Sequence, residues 1–121
     1  MLDLIKKTVE DFKKTSGFVR ILTHHDTGGI TAGAIISKAM KREDRGFKIS
    51  ILKQIDKDFI HSLGNEENEV VFLLDFGSSS LEELGKLNSK VIILDNHEIT
   101  GEANKITVLI NPNALEKNKK E

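Results

Sequence analysis

Three groups of residues in this chain have the types and spacing needed to hold a divalent cation. His24, His25 and Asp26 form the first, Asp75 the second, and Asp95 with His97 and Glu98 just beyond it the third. Each follows a short run rich in β-branched and apolar residues: FVRILT (Phe18 to Thr23), VVFLLD (Val70 to Asp75) and KVIILD (Lys90 to Asp95). Imidazole nitrogens and carboxylate oxygens together suit a hard or borderline ion such as manganese, magnesium or zinc. Such an ion serves phosphate-ester hydrolysis by activating water and neutralising charge on the phosphoryl oxygens. Taken singly, an Asp or His at a strand end is as well explained as a helix cap or a partner for loop backbone. Three clusters after three strands are harder to account for as caps.

Other chemistries find no support. GITAG lacks the GK[ST] ending of a phosphate loop, and Gly28, Gly29 and Gly33 do not make the GxGxxG spacing of dinucleotide sites. Ser78, Ser79 and Ser80 sit outside any G-x-S-x-G elbow. The chain has no cysteine, which removes disulfides and thiolate metal sites together.

These residues need elements to position them, and the pattern supplies an alternation. Residues 2–15 read as an amphipathic helix with Ile5, Val9 and Phe12 on one face, ended by Ser16-Gly17. The run ending at Thr23 leads through HHDTGG into a helix from about Ile30. FKISILK (Phe47 to Lys53) alternates apolar and polar residues as a strand does, and a short helix from about Asp56 to Leu63 follows. Val70 to Asp75 is apolar enough for the centre of a parallel sheet. Ser78, Ser79 or Ser80 is placed to cap a helix LEELGKL, and strands follow at Lys90 to Asp95 and about Ile106 to Ile110. Strands alternating with helices predict an α/β three-layer sandwich around a mainly parallel sheet of about five strands. In such sheets, sites collect at the carboxyl ends of the strands, which is where all three clusters fall.

A length of 121 residues suits one domain, and residues from about 114 to 121 read as a flexible tail. The N-terminal MLDLIKKTVEDFKK carries charges throughout, unlike a secretory signal, and no apolar run approaches the ~20 residues that cross a bilayer. A cytoplasmic protein away from membranes is expected. The net charge of −1 gives no general pull on nucleic acid, and lysines near both ends read as solvated surface. Six Phe with no Tyr or Trp argue against a base-stacking platform, leaving lysine, arginine and backbone amides for any nucleic-acid contact.

With these residues in hand, the sequence resembles the DHH phosphoesterase superfamily, most closely the archaeal RecJ-like group that includes the GINS-associated nuclease. That group is related to the eukaryotic replisome subunit that joins the MCM helicase with GINS. The first family motif, roughly H-x-D-x-D-G-I, appears as His24-His25-Asp26-Thr27-Gly28-Gly29-Ile30. The second, an Asp ending a buried strand before a small-residue turn, matches Asp75 in LLDFGSSSL. The third, D-H-H, reads Asp95-Asn96-His97. ISILKQIDKDFIHSL and VLINPN also look like the archaeal group, so the likeness spans nearly the whole chain.

The resemblance implies that His24 and Asp26 are ligands of one metal, that Asp75 bridges two, and that His97 faces the scissile phosphate. It implies a departure as well: Gly28 stands where a second motif-one aspartate belongs and Asn96 where the first motif-three histidine belongs. Both lost groups serve the second metal in the family. The expectation is one Mn2+ or Mg2+, with the second metal site lost. The resemblance also implies a truncated DHH-type domain over residues 1–121 that lacks the C-terminal substrate-binding domain. The functional expectation is a catalytically impaired subunit or scaffold in DNA replication or repair, with GINS-type proteins or a complementary DHH chain as partner and nucleic acid reached through the complex. The alternative is a manganese-dependent single-strand exonuclease subunit of a split RecJ-like nuclease. A small-molecule module of nucleotide or phosphate type is a third, lesser reading.

Overall fold

The computed structural model describes residues 1–114. Five strands, β1 (Val19–His24), β2 (Phe47–Leu52), β3 (Val70–Leu74), β4 (Lys90–Leu94) and β5 (Thr107–Ile110), form one sheet in the order β2-β1-β3-β4-β5. Every neighbouring pair is parallel. A parallel sheet needs both faces covered, and the alternation of side chains along β1, β3 and β4 divides the core accordingly. Leu22, Val71, Leu73, Val91 and Ile93 face Ile60, Leu63, Leu81 and Leu84 of α3 (Lys57–Leu63) and α4 (Leu81–Leu84). Val19, Ile21, Phe72, Leu74 and Ile92 face Phe12 of α1 (Leu2–Lys13) and Met40 of α2 (Thr27–Arg42). The expected α/β three-layer architecture with five strands is the one observed.

Local differences from the sequence reading have physical causes. Helix α2 begins at Thr27 rather than Ile30, because the Asp26 side chain caps it by accepting from the Gly29 N–H at 2.8 Å. Both glycines therefore lie in its first turn. The helix expected over LEELGKL closes after Leu84 at Gly85, and its N-cap Ser80 makes no side-chain cap bond. Of the three serines, Ser78 is instead wholly buried. On α1, only Phe12 of the apolar trio is buried; Ile5 and Val9 stay largely exposed beside a groove of about 410 Å3 floored by Phe72 and Ile92. Helix α3, by contrast, starts as read, with Asp56 accepting from Phe59 N–H at 2.8 Å.

The tail expected over 114–121 lies outside the described residues except for Ala114, which belongs to a helical turn opened by Pro112. Among the described residues no helix is long and apolar enough to cross a membrane.

Candidate metal centre

The carboxyl ends of β1, β3 and β4 are held in line by their own main chains. His25 N–H donates to Leu52 carbonyl, Asp75 N–H to Leu94 carbonyl at 2.8 Å, and Asp95 N–H to Ile110 carbonyl at 3.2 Å. Sheet register thus extends one residue past each strand, just where the ligand-type residues begin. At that edge lies a cleft of about 330 Å3 whose walls include His24, Asp75, Asp95, His97, Lys53 and Phe76.

His24, Asp26 and Asp75 come together, each with a donor atom within 4.8 Å of the others. His24 Nδ1 lies 3.0 Å from Asp26 Oδ2 and 3.5 Å from Asp75 Oδ2. Although those oxygens are near, Nδ1 is shut off from solvent and makes no hydrogen bond, since neither approach meets hydrogen-bond geometry. An unbonded imidazole nitrogen beside two carboxylate oxygens is the donor set of a divalent ion, so these residues fit one. Asp26 divides its labour: Oδ1 caps α2 and Oδ2 faces the site. Asp75 sits at φ 68°, in the left-handed region that non-glycine residues rarely occupy. The backbone thus turns sharply at the central carboxylate of the site.

The electrostatics follow the geometry. Asp26 is lowered to about 2, first by the Gly29 N–H and then by His24. Asp75 is raised, by burial first and by the Asp26 carboxylate second. His24 is raised from its ordinary 6.5, chiefly by its contact with Asp26. One charge-favouring carboxylate and one strained carboxylate around a histidine is a pattern that a bound cation would relieve.

A second group, Asp75, Asp95 and His97, also falls within 4.8 Å, but the Asp95 oxygens in it are already engaged. The Asp95 side chain is almost completely enclosed. Its Oδ1 lies 2.5 Å from His97 Nδ1 and accepts from Asn96 N–H at 2.9 Å and His97 N–H at 3.3 Å, while Oδ2 accepts from Ser78 N–H at 3.2 Å. Burial pushes the Asp95 carboxyl up, and the bonds from Ser78 and His97 outweigh it, so the net direction is down. Asp95 holds the His97 ring and raises its pKa, leaving Nε2 as the ring atom able to meet a ligand. Buried Asn111 completes the support, its Nδ2 donating to Ser78 Oγ at 2.8 Å and to His97 carbonyl at 2.9 Å.

Sequence reasoning placed Asp95 in the third ligand-type cluster and in the D-H-H motif, but gave Asp95, Ser78 and Asn111 no role in holding His97. The two-residue offset between Asp95 and His97 was the available signal.

Gly28 and Asn96, the two positions expected to depart from the family motifs, differ in their surroundings. A Cβ built on Gly28 would meet nothing closer than Asp26 Oδ1 at 3.7 Å and Asp75 Oδ2 at 4.0 Å, so a side chain there would face the site without crowding. Asn96 is exposed, and its carbonyl accepts from Asn113 Nδ2 at 3.1 Å. Neighbouring Gly29 has no such room: a Cβ would lie 2.7 Å from the His24 carbonyl carbon, and Thr23 Oγ1 donates to the Gly29 carbonyl.

A parallel sheet with ligand-type side chains after its first, third and fourth strands defines an α/β class with a candidate divalent-ion site at the carboxyl edge of its sheet. The profile described as "DHH family, N-terminal domain" matches residues 18–118, and the chain belongs to that family. It is 38% identical over 84 residues to an uncharacterized protein of Methanocaldococcus jannaschii, a match covering 67% of this chain and 19% of that protein. This chain therefore spans about a fifth of that relative's length. Among solved structures it is similar to RecJ in complex with Mn2+ from Thermus thermophilus, with TM-score 0.70, 16% identity, and coverage of 89% of this chain and 16% of that one. It is similar also to an exonuclease RecJ bound to manganese, with TM-score 0.68, 15% identity, and coverage of 85% and 29%. A third likeness is to CDC45 from Entamoeba histolytica, with TM-score 0.69, 16% identity, and coverage of 87% and 23%. At these identities the structural likenesses establish a shared fold, that of the N-terminal DHH domain.

Proposed function

We propose that this chain is a DHH-family module of DNA replication or repair that binds one divalent ion, Mn2+ or Mg2+, and is impaired as a hydrolase on its own. It acts as a cytoplasmic subunit or scaffold beside a complementary DHH chain or GINS-type replication proteins, and any nucleic-acid contact is made through that complex. The observation that carries this reading is the asymmetry around Asp75. On one side, His24 and Asp26 offer free donor atoms within 4.8 Å. On the other, Gly28 offers no ligand and Asp95 has both oxygens engaged. A two-ion phosphoesterase stabilises attacking and leaving oxygens together, and one ion supplies only part of that. The similar structures support the choice of ion and setting, since both RecJ structures hold manganese and CDC45 shares the fold.

Titration calorimetry with Mn2+ on the purified chain tests the metal reading. One equivalent per chain is expected, and no hydrolysis of a chromogenic phosphodiester above the metal-only background. Two equivalents with turnover by the chain alone would overturn it. Affinity purification from native cells tests the partner reading: GINS-type proteins or a chain carrying further DHH motifs should co-purify, and the chain recovered alone would refute it.

A second reading, an active manganese-dependent single-strand exonuclease subunit completed by another chain, draws on one specific observation. Asp95, Ser78 and Asn111 hold His97 in a defined orientation with Nε2 free, and the Asp95 carboxylate raises its pKa. A histidine so placed can give a proton to a leaving oxygen. Nuclease activity that appears only when a co-purifying chain is added back would favour it.

A further inference from the structure

Strand β2 forms one edge of the sheet, and among the described residues no strand lies beyond it. Its register with β1 spends the main-chain groups of alternate residues: Val19 N–H donates to Gly46 carbonyl at 2.9 Å and His25 N–H to Leu52 carbonyl at 2.9 Å. Parallel pairing then turns the N–H and C=O of Phe47, Ile49 and Ile51 toward the free edge. Those three residues are also the ones whose side chains share the α2 face, where Gly33 lets Ile49 lie close to the helix. Ile49 is 36% exposed, Ile51 55% and, on α2 itself, Ile30 47%.

Sheet edges open to solvent are ordinarily protected by proline, by a bulge or by charges among the outward residues. Phe47, Ile49 and Ile51 carry none of these. The nearest charge, Lys48, belongs to the other face, where Arg20 bonds its carbonyl and the Ser50 hydroxyl.

We infer that this edge is a self-association surface, taken up by the β2 of a second copy of this chain running antiparallel. The argument for a second copy is the self-complementarity of the strand about Ile49. Pairing centred there sets Ile49 against its own counterpart, Phe47 against Ile51, and Lys48 against Ser50. No like charges oppose one another within β2, and every outward N–H and C=O of the three residues finds a partner. Apolar side chains meet on one face and a lysine meets a hydroxyl on the other. The two sheets become one continuous sheet across a two-fold axis, an isologous contact of the commonest kind. A six-residue strand is about 20 Å long and falls short of the ~800 Å2 per partner of a standard interface, so the dimer is weak and concentration-dependent. The metal centre plays no part in this pairing.

Sedimentation velocity on the whole chain from about 5 µM to 500 µM tests it. A monomer–dimer equilibrium is expected, and Ile51→Lys, at a position already exposed, weakens it at least tenfold while circular dichroism stays unchanged. Because the chain has no cysteine, Ile49→Cys adds a geometric check: it forms a symmetric disulfide dimer on mild oxidation, whereas Ile35→Cys on the exposed side of α2 does not. A monomer throughout the range overturns the inference. So does a dimer insensitive to Ile51→Lys, or a monomer whose β2 edge accepts only a strand from a different protein.

Discussion

Restoring a carboxylate at position 28 is the sharpest test of the proposed one-ion site. The Gly28→Asp side chain has room, since its Cβ would stand 3.7 Å from Asp26 Oδ1 and 4.0 Å from Asp75 Oδ2. Its backbone is already helical, in the first turn of α2, where an acidic residue is favoured over glycine. The effect on metal binding can be scaled from Coulomb's law. Unit charges 4 Å apart in water attract by about 1 kcal/mol, and a divalent ion doubles that to about 2 kcal/mol, a factor of about thirty. Crowding three carboxylates raises their proton affinity, and the proton that must leave when the ion binds offsets part of the gain, leaving roughly a tenfold tighter Mn2+ complex. In the metal-free protein the repulsion falls mainly on Asp75, whose pKa is already raised, and works against the gain in helix propensity. The variant should therefore gain more than the parent from saturating Mn2+, so that the metal-induced rise in Tm is larger. Calorimetric titration and paired thermal melts read both effects, with Gly28→Asn as the neutral control. The double variant Gly28→Asp with Asn96→His should add a second equivalent of Mn2+. Equal Mn2+ affinity for parent, Gly28→Asp and Gly28→Asn would refute the geometry assigned around Asp75.

Asp75→Asn should cost more than about a hundredfold in Mn2+ affinity, since even the outer partners of metal ligands are worth ten- to hundredfold; asparagine tolerates the φ of 68°, so the fold survives and calorimetry reads the loss directly. The metal-free chain should lose stability as pH rises from 6 to 8: His24 and His97 are raised above 6.5, so what they contribute is complete below 6.5 and disappears as pH climbs through their folded values. With Mn2+ present the trend should reverse, because the ion binds His24 only when it is deprotonated; Tm measured against pH with and without Mn2+ tests this, and parallel curves would count against His24 as a ligand. Asp26 acts at the acid end, its contribution present above 3.8 and lost as pH falls toward about 2. Asp95→Asn should bring the His97 pKa down toward 6.5, measurable by NMR titration of the imidazole, and an unshifted His97 would deny Asp95 its orienting role. Gly29→Ala should destabilise the chain by about 3 kcal/mol in urea unfolding, the upper range for overpacking, because the new methyl collides with the His24 backbone.

The layout of this protein was legible in the sequence because its signals are local. Val70 to Leu74 and Lys90 to Leu94 are nearly unbroken apolar runs, and each ends one residue before an aspartate. The start of α3 could be placed near Asp56, whose short polar side chain then proves to satisfy the first free N–H groups of the helix as its cap. Where the reading went astray, the deciding partner lay elsewhere in the chain. Ile5 and Val9 have the spacing of a buried face, yet whether a helix face is covered depends on what packs against α1, and only Phe12 reaches Phe72 of β3, with ring centroids 5.6 Å apart. Asp26 was readable as a ligand or as a cap, and it is positioned to be both. Ser78 and Asn111 are 33 residues apart and show their association only in three dimensions.

The polar support around His97 bears on how this site came to be asymmetric. Asp95, Ser78 and Asn111 are buried polar groups bonded to one another and to His97, Asp95 at its exposed ring and Asn111 at its main-chain carbonyl, and burying such groups is costly unless every bond is made. A loop needing only to close the sheet could do so with apolar residues, so the arrangement is better explained by the orientation it gives His97. The departures at Gly28 and Asn96 leave that support intact: Gly28 faces the cleft from α2, and Asn96 is exposed and engaged only through its backbone. The proposed metal site around Asp75 and the orientation of His97 thus rest on separate sets of contacts in this fold. A variant that restores ligands can change the first without rebuilding the second, whereas Asp95→Asn disturbs the second and leaves His24, Asp26 and Asp75 in place.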